Sequence, residues 1–145
     1  MDTLNDHRNS LKFIEINKLP CEFKFKLLEW RNKDFVRRNM FTDRVITIEE
    51  HEKYMERIER DKSRIILVGF VSGQPFGVIN LDIQKDESGN ECGAEIGYYL
   101  IKEELINSGY GVLMEFFALY FAFEVIEGIS YVFCRTLSKN RKVIR

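Results

Sequence analysis

The residues with the clearest chemical potential lie in one short stretch, Ser108-Gly109-Tyr110-Gly111. An apolar, aromatic run from Glu95 to Ile101 precedes it, and a long apolar segment begins immediately after it. Two glycines allow the chain to turn sharply between a strand and a helix. The first N–H groups of such a helix have no acceptor within the helix, and the helix dipole favours negative charge beside them. The pattern therefore predicts a phosphate-binding turn at residues 107–112.

Other kinds of chemistry have little support in the sequence. The histidines, His7 and His51, are far apart, and no acidic or cysteine cluster has ligand spacing, so no metal site is expected. The cysteines, Cys21, Cys92 and Cys134, lack a CxxC spacing and fit the reduced thiols of a cytoplasmic protein. Walker A, G-x-G-x-x-G and G-x-S-x-G motifs are absent from the sequence.

Length and charge limit the possible partners. With 145 residues the chain is long enough for one domain with a hydrophobic core, expected to span residues 1–145. Its 22 basic and 23 acidic residues give a net charge of −1, which argues against a nucleic-acid binder that relies on bulk charge. The N-terminus lacks the apolar region of a secretory signal, and the apolar run Val112–Ile126 is too short to cross a membrane. We therefore expect a cytoplasmic protein with neither a nucleic-acid nor a membrane partner.

The hydrophobic pattern predicts an α/β domain with the element order β-α-α-β-β-β-α-β-(α). Thr47 followed by Glu50 is a capping-box signature that opens the second helix, and Ser72-Gly73-Gln74 is a hairpin signal. The central hairpins are expected to be antiparallel, whereas Ala94–Leu137 is expected to be a right-handed parallel crossover. The predicted strands span 11–17, 64–71, 75–83, 94–101 and 128–137, and the predicted helices span 22–32, 47–61, 111–126 and the residues from 138 onward.

Two of these helices carry apolar residues that predict how they pack. In the second helix an apolar stripe includes His51, which we interpret as a structural or surface residue rather than a catalytic one. The helix after the glycine turn is expected to be buried, with the aromatic residues of Phe116–Phe123 in the core. The stripe of the second helix consists of Ile48, His51, Tyr54, Met55 and Ile58.

Three segments together resemble the GCN5-related N-acetyltransferase (GNAT) family: Glu95–Leu100, Asn107–Gly111, and Asn140 after the next predicted strand. The family's pyrophosphate motif is [Q/R]-x-x-G-x-[G/A]. Its last three positions match this chain, but Ile106 stands where Gln or Arg is usual. The segment Trp30-Arg31-Asn32 is similar to a subset that acetylates ribosomal-protein N-termini or, more closely, the nucleotide sugar of pseudaminic-acid synthesis. The resemblance covers essentially the whole chain and implies a mixed, mostly antiparallel sheet.

The resemblance implies acetyl-coenzyme A as the acetyl donor. Backbone N–H groups of the glycine turn would bind its diphosphate, and the strand before the turn would pair with its pantetheine arm. The next, parallel strand must then diverge to leave room. Because Tyr98 and Tyr99 alternate across the strand, at least one of them is also expected to pack in the core. The implied coenzyme contacts are Tyr98, Tyr99, Leu100, Asn107, Ser108, Gly109, Tyr110, Gly111, Val112 and Asn140, with Arg135, Lys139, Arg141 and Lys142 nearby.

Glu95 is the candidate catalytic base. By resemblance the reaction is the attack of a neutral amine on the acetyl thioester, which requires deprotonation of an ammonium group. Glu95 stands two residues before Gly97, where many relatives carry a carboxylate, and it would act through water. Backbone N–H groups near Tyr98–Leu100 would bind the oxyanion. A surface or salt-bridged role for Glu95 is the open alternative.

The acceptor implied by the resemblance is a small-molecule amine. The arginine pair Arg37–Arg38 suits a phosphorylated acceptor, which favours a nucleotide-linked amino sugar. Peptide or ribosomal-protein N-termini are the alternative acceptors. A module that binds the coenzyme or a partner protein without catalysis is a third hypothesis. The implied acceptor contacts are Trp30, Arg31, Asn32, Arg38 and Met40.

The resemblance also predicts a shortened chain. Relatives carry a tyrosine that donates the final proton, a few residues beyond the position of Asn140, and two further strands. The sequence ends at Arg145, before these elements. Strand 128–137 would therefore expose an edge, which favours pairing with another chain. We expect a truncated chain that forms a homodimer or has reduced activity.

Overall fold

The protein, analysed as a computed structural model that describes residues 10–38, 40 and 44–134, contains one five-stranded sheet. The strands are arranged in the sheet in chain order. They are β1 (Leu11–Glu15), β2 (Arg64–Val71), β3 (Gln74–Lys85), β4 (Glu91–Leu100) and β5 (Tyr131–Phe133). The helices are α1 (Glu22–Arg31), α2 (Asp34–Arg37), α3 (Ile48–Arg60) and α4 (Tyr110–Tyr120), with 3₁₀ turns at Ile16–Lys18 and Glu103–Leu105 and a π turn at Phe121–Val125.

The sheet has the predicted mixed pairing. Strands β1 to β4 pair antiparallel in succession, and β5 pairs parallel to β4 through Tyr131 opposite Gly93 and Phe133 opposite Glu95. The predicted fold class and the crossover from β4 through α4 to β5 are confirmed. The short helix α2 was not predicted, because its single turn is too short to show a hydrophobic period.

The hairpin signal and the helix-cap signal of the sequence are both present in the structure. Ser72 and Gly73 both have positive φ, 50° and 81°, which is the backbone of a type I′ turn between β2 and β3. Thr47 is the N-cap of α3, because its side chain accepts a hydrogen bond from the N–H of Glu50 at 3.1 Å. The Glu50 carboxylate is bonded to Arg44 at 2.8 Å, so it does not supply the return half of the capping box.

The predicted stripe of α3 is correct except at its first residue. His51, Met55 and Ile58 are buried, and Tyr54 is half-buried. Ile48 is wrong: it is 59% exposed. Ile48 is the first residue of the helix, and the buried residues of the stripe begin one turn later at His51.

The two faces of the sheet carry separate hydrophobic clusters. Side chains alternate between faces along each strand. The first face, which we call the α1/α3 face, packs Ile66, Val68 and Val78 against α1 and α3. The second, the α4 face, packs Leu67 and Ile79 against Met114, Ala118 and Ala122 of α4 and its π turn.

Helix α4 is less buried than the sequence predicts. Only one narrow side, with Met114 and Ala118, reaches the sheet, whereas Val112 and Phe116 are 70% and 72% exposed. The expectation that all of Phe116–Phe123 lies in the core is therefore wrong. The α-helix ends at Tyr120 and continues as a π turn, rather than as α-helix to Ile126. Among the described residues no helix is long and apolar enough to cross a membrane.

Strand boundaries differ from the prediction at the two strands beside the candidate site. β4 begins at Glu91, three residues before the predicted start, because the turn that precedes it ends at Asn90. Among the described residues of the predicted span 128–137, β5 covers Tyr131–Phe133, and residues 135–137 lie outside the described part of the chain. The predicted final helix lies outside the described residues.

Candidate active site

The glycine turn forms the N-terminus of α4. Gly109 is the N-cap, and its φ of 93° is a left-handed conformation that glycine adopts without strain. Asn107 also has a positive φ, 68°. The first hydrogen bond of the helix runs from the N–H of Leu113 to the carbonyl oxygen of Gly109 at 3.2 Å. The N–H groups of residues 110–112 precede that bond and point out of the helix end, as an anion site requires.

Space is available in front of these N–H groups. A Cβ atom added to Gly109 or Gly111 would meet no atom within 4 Å. Ser108 is exposed, and its hydroxyl donates a hydrogen bond to the Leu105 carbonyl. Tyr110 packs its ring 5.1 Å from that of Phe76 and so anchors the turn to β3. The structure thus brings the predicted residues 107–112 into one open turn.

Strand β4 loses its parallel neighbour part-way along its length. The β4–β5 ladder covers Gly93–Glu95 opposite Tyr131–Phe133. Beyond Glu95, the described residues provide no ladder partner on the β5 side for residues 96–100 of β4. This segment leads directly to the glycine turn. An extended ligand therefore has main-chain groups of β4 available beside it.

The tyrosines of β4 point to opposite faces, and both pack. Tyr98, like Leu100, packs against the cluster of the α4 face, whereas Tyr99 packs against that of the α1/α3 face. Burial raises the pKa of Tyr98, with a further contribution from Glu115. Burial raises the pKa of Tyr99 far above its usual range. Both phenols are therefore neutral hydrogen-bond donors at physiological pH.

A cleft of about 480 Å³ lies on the α1/α3 face of the sheet. Its floor is formed by Ile66, Asn80 and Tyr99, from the three central strands. Helix α1 and helix α3 form its walls, and the segment between α2 and α3 covers part of it through Met40 and Ile46. This volume falls within the range of small-molecule sites.

Positive charge is concentrated in this cleft, although the whole chain is nearly neutral. The lining includes four cationic side chains and, among the described residues, one carboxylate, Glu50. Glu50 is engaged by Arg44 at 2.8 Å. The cations are Arg31, Arg44, Lys53 and Arg57.

The half-buried Arg31 and the buried His51 both have altered proton affinity in the cleft. Burial lowers the pKa of Arg31, partly offset by Tyr99 and Tyr54, and the guanidinium keeps its charge. Burial also lowers the pKa of His51. The His51 Nε2–H donates to the carbonyl oxygen of Lys24 at 2.5 Å, which ties α3 to α1. A neutral His51 with this structural bond agrees with its interpretation as structural.

Of the five predicted acceptor residues, Arg31 and Met40 line the cleft and three do not. Trp30 is 7% exposed and packs in the core beside Phe23, because successive helical residues point about 100° apart. The Asn32 side chain bonds the main chain of Ile46. Arg38 is exposed and lies 3.6 Å from Glu103. The structure thus places these three residues in the core, against the Ile46 segment and on the surface, and their acceptor contacts stay predictions.

The sequence prediction missed most of the cleft lining. Lys53 and Arg57 are spaced i, i+4 on α3, so they share a side, but this basic pair is common on solvated helices. Tyr54 was predicted only as part of the apolar stripe. Asn80 lies in a predicted strand of mostly apolar residues, so it was not singled out as a site residue. Nothing in the sequence places these residues beside Arg31, because the sheet brings them together.

Glu95 lies half-buried on the same face as the cleft, at the point where β5 stops pairing. The next residue on that face is Gly97, opposite Asn80 of the cleft floor. A Cβ added to Gly97 would meet no atom within 4 Å, so the space above it is open. The predicted base therefore lies on the same face of the sheet as the cleft floor, one same-face residue pair beyond Asn80 and Gly97.

No protein-family model and no curated protein sequence matches this chain. Solved structures do match it. The N-acetyltransferase PseH of Campylobacter jejuni in complex with acetyl coenzyme A aligns with a TM-score of 0.64 and 20% identity, over 91% of this chain and 80% of that chain. The aminoglycoside acetyltransferase AAC(6')-Ib in complex with coenzyme A aligns with a TM-score of 0.70 and 15% identity, over 94% of this chain and 80% of that one.

An acetyltransferase of the GNAT family from Streptococcus pneumoniae aligns with a TM-score of 0.67 and 16% identity, over 92% of this chain and 78% of that chain. This protein has the GNAT fold. At these identities the likeness concerns the fold, and it agrees with the element order and with the placement of the glycine turn between β4 and α4.

Some predicted residues of the GNAT site lie outside the described part of the chain. These are Asn140, with Arg135, Lys139, Arg141 and Lys142. Within the described part, no group of three or more His, Cys, Asp or Glu side chains is placed to hold a metal ion.

Proposed function

We propose that this protein is an N-acetyltransferase that moves an acetyl group from acetyl-CoA to a primary amine. The observation that carries the proposal is the continuity of two features: the edge of β4 at residues 96–100, which has no ladder partner on the β5 side among the described residues, and the open turn at Gly109–Val112. Together they offer main-chain groups to an extended arm and N–H groups to a diphosphate. The GNAT fold of the chain supports this assignment.

The residues present fit the coenzyme. The N–H groups of Tyr110, Gly111 and Val112 would hold the diphosphate, and the side chain of Ile106, where Gln or Arg is usual, adds no charge. Residues 96–100 of β4 would hold the pantetheine arm. The coenzyme supplies an activated acetyl thioester. Asn140 stays a predicted contact, as proposed from the resemblance.

Glu95 would remove a proton from the acceptor ammonium, directly or through a water molecule. The neutral amine nitrogen would then form a bond to the acetyl carbonyl carbon, the carbon–sulfur bond would break, and the sulfur would leave with the electron pair and take up the proton that the nitrogen loses on becoming an amide. N–H groups of residues 98–100 would stabilise the negative charge on the carbonyl oxygen.

The cleft favours an anionic acceptor, and we propose a nucleotide-linked amino sugar. Arg31, Lys53 and Arg57 offer positive charge to phosphate groups, and arginine suits bidentate contact with them. Tyr54 and Tyr99 offer apolar faces to a ring. A polycationic aminoglycoside, the kind of molecule named for one structural neighbour, is disfavoured by the same charges. Peptide N-termini remain the alternative acceptors, and an acidic peptide would suit the cleft equally.

The experiment is a thermal-shift scan with acetyl-CoA followed by a thiol-release assay. The acceptors are a UDP-linked amino sugar, the same amino sugar without the nucleotide, an acidic peptide and an aminoglycoside. We expect stabilisation by acetyl-CoA and thiol release with the nucleotide sugar. Absence of stabilisation would contradict coenzyme binding, release with the peptide alone would identify the alternative class, and stabilisation without release would favour a non-catalytic coenzyme-binding module.

A matched pair of variants tests the role of the cleft charges. Arg57→Gln removes a cation that lines the cleft, whereas Arg60→Gln removes an exposed cation from the same helix outside it. We expect the acceptor KM to rise about tenfold in Arg57→Gln, as for one lost charge-assisted hydrogen bond, and to stay constant in Arg60→Gln. Equal effects in both variants would contradict a specific role for Arg57.

We further propose that the protein is a single domain, that it is located in the cytoplasm, and that it forms a homodimer through β5. Tyr131 and Phe133 of β5 are 48% and 37% exposed, and β5 pairs with β4 along one edge. An exposed strand edge can pair with a second copy. Sedimentation of the whole chain is the test, and a stable monomer at high concentration would contradict the dimer.

A further inference from the structure

Asp82 of β3 lies directly opposite Glu95 of β4 in the antiparallel ladder, and Arg64 of β2 lies opposite Asp82. All three side chains are half-buried. Directly opposed residues of antiparallel strands place their Cβ atoms about 5 Å apart on the same face of the sheet. The α1/α3 face therefore carries a row of two carboxylates and one guanidinium across its three central strands.

This row adjoins the cleft. Asn80, two residues before Asp82 on the same strand and face, forms part of the cleft floor. Gly97 lies opposite Asn80, and a Cβ added there would meet no atom within 4 Å, so Gly97 itself places no side chain between the floor and Glu95. Tyr54 lines the cleft, and burial raises its pKa; the charge of Arg64 lowers that pKa and the charge of Asp82 raises it, so both lie near Tyr54. Both carboxylates therefore lie on the same face of the sheet as the cleft, in the next same-face residue pair after Asn80 and Gly97.

Two like charges placed opposite each other disfavour the sheet unless a cation lies near. Arg64 faces Asp82, but its Nε is also 3.9 Å from the carboxylate of Asp61, so its charge is shared. The cations of the cleft, among them Arg57, repel an ammonium group, and the carboxylate row attracts it. An acceptor that is anionic at one end and has an amine at the other would thus be oriented with its amine at the row.

We infer that Asp82 is a second acceptor-binding carboxylate, which holds the ammonium group together with Glu95 before Glu95 takes its proton. This role rests on the proposed acetyl transfer. Asp82 contributes binding and orientation, whereas Glu95 contributes proton removal. The two roles separate kinetically, because loss of a ground-state binding interaction raises KM without lowering kcat, whereas loss of the base lowers kcat.

The test compares Asp82→Asn with Glu95→Gln in the whole chain, using the nucleotide-linked amino sugar that the wild type acetylates. For Asp82→Asn we expect KM for this acceptor to rise about tenfold or more, the loss typical of one charge-assisted hydrogen bond, with kcat nearly unchanged. For Glu95→Gln we expect kcat to fall by about a hundredfold or more, as for loss of a general base.

A second readout separates ammonium binding from a structural role. The matching sugar nucleotide with a hydroxyl in place of the amine is used as a competitive inhibitor. We expect Asp82→Asn to leave its inhibition constant unchanged, because the analogue has no ammonium group. Asp82→Glu should recover part of the lost amine affinity, and Glu87→Gln, an exposed carboxylate in the β3–β4 turn, should change nothing.

The role of Asp82 is overturned if amine and hydroxyl compounds lose affinity equally in Asp82→Asn, or if its KM equals that of the wild type. If Asp82→Asn does not fold, Asp82→Ser gives the same comparison with a smaller neutral side chain. A wild type that binds acetyl-CoA and acetylates no amine contradicts the proposed function as well. Normal wild-type transfer with an unchanged Asp82→Asn variant contradicts the role of Asp82 alone.

Discussion

The side-chain amide of Asn32 is hydrogen-bonded to both main-chain groups of Ile46. Its Nδ2 donates to the Ile46 carbonyl at 2.9 Å, and its Oδ1 accepts the Ile46 N–H at 2.8 Å. This pair joins the C-cap of α1 to the segment that precedes α3. Because Arg44 and Ile46 of that segment line the cleft, Asn32 fixes part of the cleft wall without contacting its interior.

We expect Asn32→Ala to lower the free energy of unfolding by about 1–3 kcal/mol, because two half-buried main-chain groups lose their partner. The loosened segment should raise KM for the acceptor and leave the affinity for acetyl-CoA unchanged. Urea unfolding and steady-state kinetics measure the two effects. Asn90→Ala, at an exposed turn, is the control. If acceptor KM stays at the wild-type value, the segment does not shape the cleft.

We expect alanine substitutions at Gly97 and Gly77 to affect different properties, acetyl transfer at Gly97 and stability at Gly77. A Cβ on Gly97 would enter open space, whereas a Cβ on Gly77 would lie 2.4 Å from the Met114 sulfur. We expect Gly97→Ala to unfold no more easily than the wild type, since alanine is the better strand residue by about 0.5–1 kcal/mol. Its acetyl transfer should nevertheless fall, because the new methyl group occupies the path from the cleft to Glu95.

For Gly77→Ala we expect a loss of about 1–3 kcal/mol of stability, as for overpacking against a buried side chain. Thermal unfolding and thiol release are compared for both variants and the wild type. Full transfer activity in Gly97→Ala would show that the acceptor does not pass over β4 at this residue.

Substitutions at Gly111 test whether the glycine turn binds the coenzyme. A Cβ there would meet no atom within 4 Å, and leucine favours helix over glycine by about 0.5–1 kcal/mol. Gly111→Leu should therefore be about as stable as the wild type. Affinity for acetyl-CoA should stay normal in the control Gly111→Ala, since the GNAT motif also allows alanine here, and should fall in Gly111→Leu, because the larger side chain fills the approach to the N–H groups. Affinity for acetyl-pantetheine, which lacks the diphosphate, should not change, and an equal fall for both compounds would contradict the assignment.

Much of the fold could be predicted from the sequence, because its turns and helix caps depend on residues that are adjacent in the chain. The Thr47 cap, the Ser72-Gly73 turn and the left-handed Gly109 are each decided by residues adjacent in the chain. The glycine turn was found for the same reason, since one contiguous segment supplies all of its N–H groups. The exposure of Phe116 was not predictable, because it depends on how much of α4 the sheet covers.

The cleft and the carboxylate row required the structure. Arg31, Arg57 and Asn80 come from two helices and a strand, and their proximity follows from the packing of α1 and α3 on the sheet. Asp82 meets Glu95 through strand register, which the sequence between them does not encode in any motif. Long-range pairing of this kind shows only weakly in a single sequence.

The lowered pKa of His51 predicts how the free energy of unfolding depends on pH. Burial lowers its pKa below the ordinary value of 6.5, so the unfolded chain binds the proton more readily than the native protein. Above about pH 7 both states are neutral at this residue, and its contribution to stability is complete. As the pH falls through 6.5 the unfolded state is protonated first, and stability decreases until the native pKa is passed. We therefore expect the free energy of unfolding to decline as the pH falls from about 7 through 6.5.

The variant His51→Gln can keep a side-chain donor for the Lys24 carbonyl but cannot titrate in this range. Urea unfolding at several pH values should show a decline in the wild type and in the His7→Gln control, and a flatter profile in His51→Gln. The Glu52 carboxylate and the Lys24 carbonyl both favour the protonated form of His51, so desolvation must outweigh them for the decline to occur. A wild-type profile that is flat, or equally steep in His51→Gln, would mean that burial does not suppress protonation at this site.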